Sequence, residues 1–144
     1  SDDLIICYLK EFIIKLVRNE KLENTILHQD SVVKNKIENS IIAKCIEYVE
    51  NNIGTKISVP NIARSIPISQ SYLSAIFKKH MDMTLVDYIS HYRLEKSKDL
   101  IKSTEYNFTQ ISEILGYTSV HYFSNQFKQK YGVSPSEYAR AIKR

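Results

Sequence analysis

The chain has 144 residues, 43% of them hydrophobic and 25% charged, with a formal net charge of +4. This is the profile of a soluble globular protein, long enough for one medium domain or two very small ones, and it excludes an intrinsically disordered chain. Three Gly and three Pro leave little material for tight-turned sheets, which favours an all-α fold; no apolar run approaches the roughly 20 residues that span a bilayer and no secretory leader is visible, so no membrane partner is expected.

Residues 4–17, LIICYLKEFIIKLV, are apolar almost all round, and such a helix must be covered by something. The candidates are the rest of this chain, a second copy, or a domain outside this sequence. Cys7 in this segment and Cys45 beyond it form no CxxC pair and read as two buried free thiols in a reduced cytosol. None of the four His supplies metal-ligand spacing, so no metal or other cofactor is expected. Residues 18–39 are polar and charged with scattered apolar positions, and read as a linker with some helix.

From Ser40 the pattern sharpens. Ser40 is placed to cap a helix with Ile41, Ile42, Cys45, Ile46 and Val49 on one face, and Asn51, Asn52 and Gly54 stop it. Ser58 starts a short helix with Pro60 in its first turn and Ile62, Ala63 and Ile66 inward. After Pro67, Ser69 caps a helix whose inner face is Leu73, Ile76 and Phe77. Thr84 opens a long helix to about Lys102, with Leu85, Tyr88, Ile89, Tyr92 and Leu100 facing the core. Asn107 with Gln110 resembles a capping box before Ile111, Ile114 and Leu115, and Gly116 closes that helix. Ser119 opens the next, with Phe123 and Phe127 buried and Gly132 at its end. Ser134-Pro135-Ser136-Glu137 is a full capping box with Pro at the first helical position. The expectation is seven helices from Ser40 onward.

The second and third of these helices recur as the fifth and sixth. Shifted by fifty residues, Tyr72, Ser74, Phe77, Lys78 and Tyr88 fall on Tyr122, Ser124, Phe127, Lys128 and Tyr138, while Ile62 falls on Ile111 at an offset of forty-nine. The second copy therefore has one extra residue in its turn. Short helix, tight turn and second helix is the helix-turn-helix arrangement, whose second helix enters a major groove with its N-terminal half against base edges. Away from the core, the first such helix presents Ser71, Ser74, Ala75, Lys78 and Lys79, and the second presents Val120, His121, Ser124, Asn125 and Lys128. Asn125 is the best base reader, because an amide can bond both N6 and N7 of adenine; Val120 suits a thymine methyl. Lys78, Lys79, Lys128 and Lys130 sit where phosphates would pass. Arg93 suits either a phosphate clamp or an internal pair with Asp87 or Glu95, the structural role being favoured, and the repeat-matched Tyr72, Tyr88, Tyr122 and Tyr138 read as core. The charge agrees with a polyanionic partner: residues 1–39 hold six Lys/Arg against seven Asp/Glu, and residues 40–144 hold fourteen against nine, a balance of +5. A connecting helix of about 19 residues spans roughly 28 Å. That length suits two recognition helices set about one DNA turn, roughly 34 Å, apart.

Residues 40–144 resemble the DNA-binding domain of the AraC/XylS family of bacterial transcription regulators. The match rests on Gly116-Tyr117, Tyr122-Phe123-Ser124, Phe127-Lys128, Gly132 and Ser134–Tyr138, and on Ser69, Tyr72-Leu73, Phe77-Lys78-Lys79, Tyr88 and Arg93-Leu94 in the first copy. The resemblance implies an all-α fold of about seven helices: a first helix-turn-helix unit over 40–83, a connecting helix over 84–103 and a second unit over 104–144. It implies that residues 1–39 are the trailing helix of a regulatory or dimerising region plus a linker. It further implies binding to double-stranded promoter DNA, activation of transcription, contact with RNA polymerase, pairing with a second copy through the N-terminal helix, and a cytoplasmic, nucleoid-associated location. Base contacts are assigned to Ser71, Ser74, Ala75, Val120, His121, Ser124 and Asn125, and phosphate contacts to Ser69, Lys78, Lys79, Ser119, Lys128 and Lys130. Pro67 and Asp82 depart from the family pattern, standing where glycine is common. No nucleophile–base pair, glycine-rich phosphate loop or matched carboxylate pair is present, so no enzymatic activity is expected. The rival reading is a helical protein-interaction module in which the Phe and Tyr repeats are scaffold only.

Overall fold

The computed structural model describes the backbone of residues 2–143, and the side chains of these except at 2–4, 17, 19–24, 26 and 27. Among the described residues there are seven helices and no strand: α1 (Asp2–Asn51), α2 (Val59–Ser65), α3 (Gln70–Met81), α4 (Leu85–Ser103), α5 (Phe108–Ile114), α6 (Val120–Tyr131) and α7 (Pro135–Ile142). The chain divides into two compact units, Ser1–Ser40 and Ile41–Arg144.

In the first unit the backbone is helical throughout its described residues. Ile5, Ile6, Leu9, Phe12, Ile13 and Leu16 are exposed, so the apolar helix is uncovered; Leu4 and Val17 of the same stretch lie outside the described side chains. Residues 18–39, expected as a linker, are a continuation of α1, and Ser40 lies inside that helix instead of capping a new one. The reason is local. The stretch is polar enough to look like a linker, yet Arg, Glu, Lys, Gln and Leu recur along it as good helix formers, and neither Gly nor Pro interrupts it.

In the second unit every other expected helix start is realised as a side-chain cap. Ser58, Ser69, Thr84, Asn107, Ser119 and Ser134 each accept a hydrogen bond from the backbone N–H three residues on. Asn107/Gln110 and Ser134/Glu137 are complete capping boxes. Two hydrophobic clusters result. One gathers Ile41, Ile42, Cys45, Val49, Ile62, Leu73, Phe77 and Leu85; the other gathers Leu94, Ile101, Ile111, Leu115, Phe123 and Phe127. Helix α4 serves both. It packs against α3 in the first cluster and against α5 and α7 in the second.

Some inward assignments differ: of the two cysteines expected to be buried, Cys45 is and Cys7 is exposed. Ile114, expected in the core, is 39% exposed, and Tyr122, matched by repeat to core tyrosines, is 52% exposed, with Tyr72 also exposed. Tyr88 and Tyr138 do pack, edge to face against Phe77 and Phe127. Repeat symmetry identifies equivalent positions, not buried ones. The turn lengths follow the sequence: four residues separate α2 from α3, and five separate α5 from α6. Where φ is positive, Gly116 takes +78° and Gly132 +79° without a Cβ to strain, whereas Pro67 takes 22°, Asp82 57° and Thr104 58°.

Candidate nucleic-acid interface

Helices α3 and α6 begin alike. The Ser69 hydroxyl accepts from the Tyr72 N–H and the Ser119 hydroxyl from the Tyr122 N–H, each at 3.1 Å. Each cap fixes where its helix starts, and so fixes which side chains share a face. On α3, Ser71, Ser74, Ala75 and Lys78 follow the i, i+3, i+4, i+7 spacing of one face, and all four are exposed. On α6, His121, Asn125 and Lys128 stand at the matching positions and are exposed, while Val120 and Ser124 beside them are half-buried. Opposite these faces, Leu73 and Phe77 of α3 and Phe123 and Phe127 of α6 are fully buried. The core therefore holds both faces toward solvent.

Positive charge gathers at the far ends. Lys78, Lys79 and His80 occupy the last turn of α3, and Lys128 and Lys130 that of α6. Ser69, Lys78, Lys79, Ser119, Lys128 and Lys130 are all exposed. Lys130 turns back toward α4: its Nζ meets Nδ1 of His91 and lies 5.5 Å from the Tyr131 ring centroid. Burial lowers its pKa from the ordinary lysine value. Ser71, Ser74 and Ala75 are short, which limits their reach into a groove, and the α6 set of Val120, His121, Ser124 and Asn125 is chemically richer.

Between α4 and α6 lies a cleft of about 310 Å³ lined by Val86, Ser90, Arg93, Tyr117, Tyr122 and Gln126, among others. Sequence reasoning did not foresee how its polar groups are used. Arg93 donates from Nη2 to the Thr55 carbonyl at 3.1 Å and stacks over Tyr117 at 5.8 Å, where Asp87 or Glu95 had been the expected partner. Burial lowers the Arg93 pKa and pushes the Tyr117 hydroxyl up to about 12. Glu95 instead accepts from the Tyr131 hydroxyl at 2.6 Å and pairs with Lys98 at 3.6 Å. The hydrogen bond from Tyr131 holds the Glu95 carboxyl below its ordinary value. These partners are 36 and 38 residues apart in sequence, beyond any local spacing rule.

A family model described as a helix-turn-helix domain matches residues 62–141. Over 112 residues the chain is 28% identical to the transcriptional regulatory protein HptR of Staphylococcus aureus, covering 78% of this chain and 44% of that protein. The chain spans about half the length of the curated relatives it matches. Among solved structures, the C-terminal domain of AraT, a response regulator from Geobacillus stearothermophilus, superposes with a TM-score of 0.68 at 30% identity, covering 70% of this chain and 84% of that one. The DNA-binding domain of the global transcriptional factor AdpA, solved with a target DNA, gives a TM-score of 0.67 over 70% of this chain and 91% of its own. At 16% identity, that likeness speaks to the fold alone.

Proposed function

Because the chain belongs to the AraC-type helix-turn-helix family of transcription regulators, we propose that it is the sequence-specific, double-stranded-DNA-binding part of such a regulator and has no catalytic role. The observation that carries this reading is the pair of capped helices, α3 and α6, each presenting an exposed face at repeat-matched positions over a fully buried aromatic core. The two helices enter successive major grooves of one duplex. Asn125 and His121 lead base recognition, with Val120 and Ser124 adding shape and methyl contact. Ser71, Ser74 and Ala75 lie against base edges in the other groove, where short side chains favour readout of shape. Lys78, Lys79 and Lys128, with the hydroxyls of Ser69 and Ser119, hold phosphates; Lys130 joins them on leaving His91.

In this reading residues 1–39 are the trailing part of a regulatory region, and residues 40–144 the DNA-binding part. The exposed apolar stretch around Phe12 pairs with a second copy, and the regulator activates transcription through contact with RNA polymerase in the bacterial cytoplasm. The test is a duplex titration at rising salt. Neutralising about four phosphates, one for each assigned lysine, should cost the complex about a hundredfold in affinity between roughly 50 and 200 mM salt. A chain indifferent to duplex DNA at low salt would contradict the proposal and favour a protein-interaction module.

A further inference from the structure

Ile53, on the loop between α1 and α2, packs against both hydrophobic clusters. Beside it, a Cβ added to Gly54 would lie 2.9 Å from the Ile114 carbonyl oxygen. One added to Gly116 would lie 2.7 Å from the Ile53 oxygen and 3.0 Å from the Thr55 oxygen. The loop of the first half and the inter-helix turn of the second therefore meet backbone to backbone, at a separation that only glycine permits. Arg93, on the helix the two halves share, closes the same junction through the Thr55 carbonyl and the Tyr117 ring. The Arg93 Nε and the Tyr117 hydroxyl are buried at the same junction.

A single shared helix ties the two halves together along one line of contact only. A second contact away from that line restricts rotation about it. We propose that loop 52–56, with Gly54, Gly116 and Arg93, is a positioning wedge that sets the separation and relative angle of α3 and α6, and thereby the spacing of the two DNA boxes one chain accepts. The statement about boxes rests on the DNA-binding reading above; the statement about the helices does not.

The full chain is labelled with nitroxides at Ser74→Cys and Asn125→Cys in a Cys7→Ser background, Cys45 being fully buried. Pulsed electron–electron resonance without DNA then reads the α3–α6 distance. One narrow distance is expected for the intact junction. Gly54→Ala, whose methyl meets the Ile114 carbonyl, should shift or split it, and Arg93→Gln should broaden it. Gly132→Ala is the control: Gly132 has a positive φ of 79° but nothing within 4 Å of an added Cβ, so the distance should hold. Thermal melts establish that each variant is folded, and Arg93→Gln decides alone if Gly54→Ala is not. An unchanged distribution in every folded junction variant overturns the wedge. On duplexes carrying two boxes about 9, 10 or 11 bp apart, the junction variants should lose about tenfold or more of the preference for the best spacing. An intact preference overturns the claim about spacing. An intact chain that binds no duplex defeats the DNA reading, and the distance measurement still judges the wedge.

Discussion

Asn125 and Lys128 stand one helical turn apart on the exposed face of α6, yet they should fail differently when removed. Asn125→Ala should cost about 1–3 kcal/mol on the best site and relax preference at one base pair. Lys128→Ala should weaken all sequences alike and reduce the salt slope by about 1. Binding selections on randomised duplexes distinguish the two, and an unaltered site preference in Asn125→Ala would remove its assigned role. Tyr131 and Glu95 make a second residue-level test. A carboxyl whose folded pKa is depressed adds stability above its unfolded pKa and loses it as pH falls through the folded value. Tyr131→Phe should therefore lower the melting temperature at neutral pH, with the gap to the parent closing on acidification below the usual carboxylate range. A gap constant with pH would show that the hydrogen bond to Glu95 is not its source. The capping serines were legible in the sequence because a cap bonds three residues ahead. The partners of Arg93 were not, because the Thr55 carbonyl and the Tyr117 ring reach it only through the fold.

Helices α2 to α7 were legible for the same local reason: Ser, Thr or Asn before each start and a positive-φ or breaking residue near most ends. The continuity of helix α1 was not, since low hydrophobicity between residues 18 and 39 resembles a linker with some helix when only burial patterns are weighed. Ile114 and Tyr122 show a related limit: periodicity and repeat symmetry mark faces, but which face is covered depends on what packs there. The end of α6 offers a clean test of an element boundary. Gly132 takes φ 79° in open space, so Gly132→Ala should cost about 1–2 kcal/mol through backbone strain alone. Chemical denaturation reads this directly, and a neutral substitution would mean that the left-handed stop is not needed.

Taken whole, residues 41–144 hold two similar capped-helix units on one connecting helix, joined again at the Gly54–Gly116 contact. The duplication was visible in the sequence as matched Tyr, Ser, Phe and Lys positions. The second joint was invisible, because a glycine needed for close approach looks the same in a sequence as a glycine that ends a helix. If α3 and α6 are recognition helices held by this double joint, as proposed, a definite consequence for DNA follows. Selection of high-affinity duplexes followed by hydroxyl-radical footprinting should find a single chain protecting two boxes about 10 bp apart on one face of the helix. Protection of one box alone, unchanged when the second is scrambled, would contradict a two-groove reader.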